Sequence, residues 1–187
     1  MNNYCVDLNL ELPIFNSELS PVDFLKKNYK LTNHFQVNIE DLHSDLLLFF
    51  NNLQLTIRLV EIFYRPPGGI GIIHSDMNVA GDYAKLNWVY GGDNSVMNWY
   101  KINSNYTQPL LNTTNINSYA LYYKTDEVDL IHSQTIGLPS LVQVGCPHNV
   151  VNGSTERFCI SLVFENSISK KRLTFNEAVA LFKNYIK

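Results

Sequence analysis

The sequence contains little charge, few cysteines and no long apolar run. Charged residues make up 17% of the 187 residues, the net charge is −3, and lysine and arginine form no long run. Electrostatic binding to nucleic acid or to an anionic membrane surface is therefore not favoured. No apolar stretch approaches the roughly 20 residues that a membrane-spanning helix needs. We expect a protein with neither nucleic acid nor a membrane as its partner.

The cysteines are too few, and wrongly spaced, for a disulfide framework. Cys5, Cys146 and Cys159 are odd in number and none is spaced as Cys-x-x-Cys. Reduced thiols in a cytoplasmic setting fit this usage. The first fifteen residues also lack a charged segment followed by an apolar one, so no signal peptide is predicted. These absences together indicate a cytoplasmic protein.

What is present is enough apolar sequence for one domain. Hydrophobic residues make up 45% of the chain, which is typical of a globular protein with a sizeable core. We divide the single domain, residues 1–187, into three parts by the period of the apolar residues. These are a mixed helical segment over 1–54, a β core over 55–165 and a C-terminal helix over 166–187.

Helix signals lie at both ends of the sequence. Ser20 followed by a proline is typical of an N-cap and a first helical position. Thr174 with a glutamate three residues on forms a capping box. The predicted helices cover residues 20–29, 39–53 and 174–187.

Between these ends the pattern is that of short strands. Eight segments rich in β-branched and aromatic residues are separated by turn signals, with no helical pattern between most of them. Such a run predicts a mainly β (α+β) protein with an antiparallel sandwich or barrel of the jelly-roll type. The polar stretch 103–118 is predicted to be a long loop, either ordinary surface or a lid. The predicted strands cover residues 55–64, 69–73, 84–90, 95–102, 119–125, 128–136, 140–144 and 157–164.

The tripeptide His-Ser-Asp occurs twice, beginning at His43 and again at His74. The first copy falls in a predicted helix, where residues two apart do not face each other. The second copy follows a predicted strand, and on a strand residues two apart point to the same side. His74 and Asp76 could therefore converge on one metal ion, whereas His43 and Asp45 could not easily do so. We expect His43 to be a helix-surface or boundary residue and Asp45 to be a solvated charge.

A metal site needs a third ligand, and His148 is the better of two later histidines. It ends an apolar segment, and Arg157 follows nine residues later, a spacing that His132 lacks. Arg157, Cys159 and Ser161 alternate with the apolar residues of the last predicted strand, whose apolar face we expect to pack on the terminal helices. A buried arginine requires a carboxylate, supplied either by an internal acid or by a bound ligand.

These residues resemble the signature of the Fe(II)- and 2-oxoglutarate-dependent oxygenases. In that family a His-x-Asp pair is joined by a distant His, and an Arg or Lys follows about ten residues later. The resemblance covers residues 55–165 and implies a double-stranded β-helix, a cupin-like jelly-roll barrel with helices on its outer face. It implies that His74, Asp76 and His148 are the catalytic Fe(II) ligands and that Arg157 binds 2-oxoglutarate.

The activity implied by the resemblance is that of a small hydroxylase. Oxidative decarboxylation of 2-oxoglutarate to succinate and CO2 would be coupled, with O2, to oxidation of a prime substrate, a small molecule or a protein side chain. The motifs identify neither that substrate nor the oligomeric state.

Three further cofactor-binding positions follow from the same resemblance. Tyr64 matches a tyrosine that contacts a carboxylate of 2-oxoglutarate in related hydroxylases, although an interior aromatic would also explain it. Ser161 shares the face of Arg157, and Asn87 would face the cofactor in one of its two strand registers. Many relatives place the hydroxyl two residues after the arginine, where this chain has Cys159.

Two other interpretations of the predicted β core remain open. A cupin-type metal-dependent enzyme would use the same barrel without 2-oxoglutarate. A jelly-roll binding module without catalysis would carry the histidines incidentally.

Overall fold

The computed structural model describes residues 4–76, 83–106, 110–113, 119–137 and 139–187. This part of the chain is mostly β, with two antiparallel six-stranded sheets and three α-helices. The strands are β1 (Cys5–Asp7), β2 (His34–Val37), β3 (Leu55–Arg65), β4 (His74–Asp76), β5 (Ala84–Gly91), β6 (Val96–Ile102), β7 (Leu110–Thr113), β8 (Tyr119–Tyr122), β9 (Val128–Gln134), β10 (Ser140–Gln143), β11 (His148–Val151) and β12 (Arg157–Asn166).

The two sheets draw strands from the whole length of the chain. One sheet has the order β1-β10-β5-β12-β3-β2, and the other has the order β7-β8-β4-β11-β6-β9. In the first sheet β12 lies between β3 and β5, which pair with it along most of its length. In the second sheet the short strand β4 lies between β8 and β11. Sequence neighbours are thus frequently placed in different sheets.

Seven of the eight predicted strands are confirmed, with small shifts at their ends, but the strand predicted over 69–73 is wrong. In that segment the backbone forms an isolated bridge between Ile70 and Val151 and scattered hydrogen bonds, but no strand. The strand begins at His74 instead, because the cross-strand partners in β8 and β11 start there. Within the long loop predicted over 103–118, residues 110–113 form β7 instead, whereas 107–109 and 114–118 lie outside the described residues.

The three helices are α1 (Pro21–Asn28), α2 (Ser44–Asn52) and α3 (Phe175–Leu181). The predicted caps of α1 and α3 are confirmed: the Ser20 hydroxyl accepts from a backbone N–H, and Thr174 forms the capping box. The helix predicted over 39–53 is shorter, because a 3₁₀ turn occupies Ile39–Asp41 and α2 starts only after it. The C-terminal helix likewise ends in a 3₁₀ turn, Lys183–Tyr185.

The main hydrophobic core lies between the helices and one face of the first sheet. Alternate residues of β12 form this face, and they pack with buried side chains of all three helices, as predicted. Phe50 of α2, for example, lies 5.7 Å from Phe164 between ring centroids. Each such buried side chain contributes about 1.5–3 kcal/mol to stability. The other face of β12 is left for the cavity described below. No helix of the described residues is long and apolar enough to cross a bilayer.

Candidate metal centre

A cavity lies between the two sheets. Strands of both sheets line it. From the first sheet β3, β5 and β12 contribute side chains, and from the second β4, β6 and β11 do so. The cavity therefore gathers residues that are up to about a hundred positions apart in the sequence.

The residues predicted to bind metal meet at this cavity. His148 of β11 lies directly opposite His74 of β4, and the centroids of the two imidazole rings are 4.5 Å apart. Asp76 lies two residues along the same strand, with its Oδ1 atom 3.5 Å from His74 Nε2. The potential ligand atoms of all three lie within 4.8 Å of one another. Within the part of the chain that the structure describes, no other group of three such side chains has this geometry.

The backbone fixes the orientation of both imidazoles. Nδ1 of His74 lies 2.9 Å from the carbonyl oxygen of Ile72, and Nδ1 of His148 lies 2.9 Å from that of Cys146. A carbonyl oxygen only accepts hydrogen bonds, so each Nδ1 must carry the proton and donate it. Both Nε2 lone pairs then remain free to bind a metal, as in metal sites with outer-sphere support.

His148 is held neutral. Its side chain is buried, and this burial, together with the neighbouring His74, lowers the pKa of His148 to about 4. An imidazole must be unprotonated to bind a metal ion. At neutral pH His148 is therefore ready to bind without releasing a proton.

A buried ionic chain leads away from Asp76. Lys85 Nζ lies 2.5 Å from Asp76 Oδ2 and 2.5 Å from Glu61 Oε2, and Glu61 Oε1 lies 3.2 Å from His34 Nε2. Burial alone would raise the pKa of Asp76, but Lys85 and His74 hold it well below its usual range. Burial alone would lower the pKa of Lys85, but the two carboxylates raise it to about 12. Asp76 is thus ionised, with one oxygen fixed by Lys85 and the other directed towards the imidazoles.

The remaining polar residues of the β12 face also line the cavity. Arg157 and Ser161 lie there, and Asn87 lies directly opposite Ser161 on β5. All three are buried, and Arg157 Nε, Ser161 Oγ and Asn87 Oδ1 have no hydrogen-bond partner among the described residues. The thiol of Cys159 lies between them, and burial raises its pKa. These side chains form a polar wall near the imidazoles.

A glycine makes room for Arg157. Gly92 has φ +69°, and a Cβ placed on it would lie 2.8 Å from the Cβ and Cγ atoms of Arg157. Any larger residue would therefore force the arginine side chain to move. The turn after β5 thus determines where the guanidinium lies.

The structure does not bring Tyr64 to the cavity. On β3 it pairs with Phe158 of β12, on the face that packs on the helices, and its hydroxyl donates to Glu156 Oε1 at 3.0 Å. The side chain of the next residue, Arg65, lies on the opposite face of β3 and lines the cavity. The structure therefore places Tyr64 one residue out of phase with the cavity lining, since a strand alternates its faces at every residue.

The first His-Ser-Asp copy lies far from the cavity, at the start of α2. His43 is the N-cap residue of that helix, and its Nδ1 accepts from the backbone N–H of Asp45. Because His43 precedes the helix rather than lying inside it, its ring comes within 3.6 Å of the Asp45 carboxylate. The predicted boundary position of His43 is confirmed, and no third ligand joins the pair in the described residues. His132 is also separate, on β9 opposite Trp99.

Sequence reasoning missed three charged residues: Arg65 and Lys85, which line the cavity, and Glu61, which pairs with Lys85. A signal for each of them existed. Glu61 and Arg65 lie four residues apart in an apolar strand, on the same face, and Lys85 lies two residues before Asn87 in another. A charged residue at alternate positions of a buried strand indicates a polar interior.

Comparisons with known proteins add no family. No family model matches the chain, and no curated protein matches it significantly. Among solved structures, the chain is similar to Peruvianin-I, a cysteine peptidase from the latex of Thevetia peruviana. The identity is 15%, the alignment covers 93% of this chain and 94% of that one, and the TM-score is 0.36. A likeness at this level carries no argument about fold or function.

Proposed function

We propose that this chain is an Fe(II)- and 2-oxoglutarate-dependent oxygenase, a small hydroxylase built on a double-stranded β-helix. The observation that carries the proposal is the convergence of His74, Asp76 and His148 at a cavity that also holds the buried Arg157. Two facing antiparallel sheets with the cavity between them support the interpretation of the fold as a jelly-roll barrel.

The donor atoms fit Fe(II). Two imidazole nitrogens and one carboxylate are the 2-His-1-carboxylate set typical of non-haem iron oxygenases, and three protein ligands leave open positions on an octahedral ion. The hydrogen bonds of both Nδ1 atoms to backbone carbonyls and the ionised state of Asp76 favour metal uptake. His74, Asp76 and His148 would hold the metal.

The polar wall fits a carboxylate. Leaving a buried donor without a partner costs about 1–3 kcal/mol, so Nε–H of Arg157 and the hydroxyl of Ser161 require an acceptor. The structure shows no carboxylate within 4.0 Å of Arg157 among the described residues. A ligand such as 2-oxoglutarate would supply it, with Arg157 and Ser161 on its distal carboxylate and Asn87 beside it.

The chain's own residues then have distinct tasks. Bound iron and 2-oxoglutarate would supply oxidative decarboxylation coupled to oxidation of a prime substrate by O2. Arg157 and Ser161 would orient the 2-oxoglutarate, and Lys85 would hold the second oxygen of Asp76 away from the metal. The apolar side chains of Met97, Val144 and Val150 line the same cavity and would limit water.

The test is anaerobic addition of Fe(II) and 2-oxoglutarate to the metal-free protein. We expect a visible metal-to-ligand charge-transfer band, and, on admitting air, succinate formation even without a prime substrate. Absence of the band in the wild-type protein, with Fe(II) present in excess, would contradict the proposal. The Asp45→Ala variant serves as the control for the Asp76→Ala variant, since Asp45 belongs to the distant copy.

The same experiment separates the alternatives. A protein that retains metal but does not respond to 2-oxoglutarate would be a cupin-type enzyme of another kind. A protein that retains no metal, and whose properties do not change with chelators, would be a non-catalytic binding module.

A further inference from the structure

A second guanidinium faces the cavity beside Arg157. In the pairing of β3 with β12, Arg65 lies directly opposite Arg157, and both side chains line the cavity. Directly opposed residues of an antiparallel pair have Cβ atoms only about 4.5–5.5 Å apart, so their side chains are neighbours. The resemblance to known oxygenases assigns one arginine, Arg157, and leaves Arg65 without a role.

The two arginines repel each other. Burial and the like charge of Arg157 both lower the pKa of Arg65. Among the described residues, the Arg65 side chain donates one hydrogen bond, from Nη1 to the carbonyl oxygen of Tyr64 at 3.3 Å. No carboxylate of the described residues lies within 4.0 Å of Arg65 or Arg157. Directly opposed like charges are destabilising. An anion bound between the two guanidinium groups would offset this repulsion.

The other charges of the cavity do not supply that anion. Asp76 and Glu61 are both engaged by Lys85 at 2.5 Å. Gly71 lies beside Arg65 in the cavity lining, and a Cβ added there would be in van der Waals contact with Arg65 Nη2, at 3.9 Å. Two cations therefore border the cavity without an internal counter-ion in the described structure.

We propose that Arg65 and Arg157 together bind one carboxylate of a dicarboxylate ligand, with Arg65 as a second guanidinium on the group that Arg157 holds. A carboxylate has about four lone-pair sites and can accept from two guanidinium groups. The identification of the dicarboxylate as 2-oxoglutarate rests on the proposed function. The binding of one carboxylate by both arginines goes beyond the proposed function. This binding makes the site selective for a dicarboxylate over a monocarboxylate.

The experiment combines a change in the protein with a change in the ligand. Binding of 2-oxoglutarate and of 2-oxobutyrate, which lacks the distal carboxylate, is measured anaerobically by calorimetry on the Fe(II)-loaded protein. For Arg65→Ala we expect 2-oxoglutarate to bind about 10- to 100-fold more weakly, with 2-oxobutyrate unchanged within about twofold. Arg65→Lys, which keeps the charge but loses the planar fork, should recover part of the loss.

Arg58 provides a matched control. It lies on the same strand, but its side chain is 65% exposed, pairs with Glu165 and does not line the cavity. Arg58→Ala should leave the affinity for both ligands unchanged. The thermal unfolding of ligand-free Arg65→Ala should be at or above the wild-type temperature, because the variant removes a repulsion, whereas a purely structural role would lower it.

Three outcomes of the calorimetric measurements overturn the inference. These are an unchanged affinity of Arg65→Ala for 2-oxoglutarate, an equal weakening of both ligands, and a loss for Arg58→Ala as large as that for Arg65→Ala. If the wild-type protein binds neither oxoacid, the proposed function fails, and glutarate then tests the arginine pair alone. Stabilisation of the metal-free wild type by glutarate that Arg65→Ala abolishes supports the pair. No stabilisation of the wild type overturns it.

Discussion

The two His-Ser-Asp copies differ less in their internal geometry than in their surroundings. A ring nitrogen lies 3.6 Å from the carboxylate in the first copy and 3.5 Å in the second. In the first copy His43 uses Nδ1 to cap a helix, and the Asp45 side chain is 62% exposed. In the second, His74 donates from Nδ1 to a backbone carbonyl and His148 lies opposite. A histidine–aspartate pair thus becomes a candidate metal site only when the fold adds a third ligand and fixes the ring.

The largest difference between the copies should appear on removing the carboxylate. Asp76→Ala deletes a proposed ligand, and we expect Fe(II) affinity to fall by more than about 100-fold, beyond the range seen for outer-sphere partners. Succinate formation should be lost with it. Asp45→Ala should match the wild type in both assays, measured by metal analysis after gel filtration and by succinate release. Equal activity of the two variants would remove the basis of the comparison.

The buried charge network of the second copy should matter for folding as well. Lys85→Met leaves Asp76 and Glu61 buried without their cation, and breaking a buried ion pair costs about 3–5 kcal/mol in the free energy of unfolding. Urea denaturation of the metal-free protein measures this loss. Lys26→Met is the control, since its pair with Glu156 is exposed and should contribute little. A Lys85→Met protein as stable as the wild type would contradict the network.

The same network predicts sensitivity to acid. Lys85 and His34 overcome the effect of burial and lower the pKa of Glu61 below its ordinary value of 4.5. A carboxylate with a lowered folded-state pKa stabilises the protein fully above its unfolded pKa, and this stabilisation is lost as the pH falls through the folded value. The free energy of unfolding should therefore decrease below about pH 4.5. Glu61→Gln should be less stable at pH 7 and show a shallower decrease; parallel curves for the two proteins would count against this account.

The smallest effect belongs to the first copy. His43→Ala removes the cap of α2 and should cost about 1 kcal/mol of stability or less, without changing metal affinity. His43→Ser restores a capping side chain and should recover the loss. The same substitution in the second copy, His74→Ser, should abolish metal binding, because a hydroxyl does not replace the imidazole ligand. A change in metal affinity for either variant of His43 would show that the copies are coupled.

The sequence was informative where the pattern is local. Alternation along β12 predicts both its faces, and the spacing of His74, Asp76, His148 and Arg157 selects four residues that do line one cavity. Prediction from the sequence fails where a structural element depends on contacts between distant segments of the chain. The short strand β4 exists because of its partners in β8 and β11, and not because of its own composition.

The errors at the cavity have the same origin. The choice between Tyr64 and Arg65 depends on the phase of β3 against β12, which is set by the pairing of Arg65 with Arg157. The contact of Lys85 with Asp76 joins strands of different sheets, so no spacing in the sequence encodes it. Strand registers and the juxtaposition of two sheets are properties of the whole fold.

The groups that orient the two imidazoles are main-chain carbonyls, those of Ile72 and Cys146. Every amino acid carries such a carbonyl, so the side chains at these two positions are free to vary while the ring poses persist. Ile72 is 66% exposed and lies two residues before the candidate metal ligand His74. A single substitution at Ile72 can therefore change the surface beside the candidate centre while the carbonyl that orients His74 is kept.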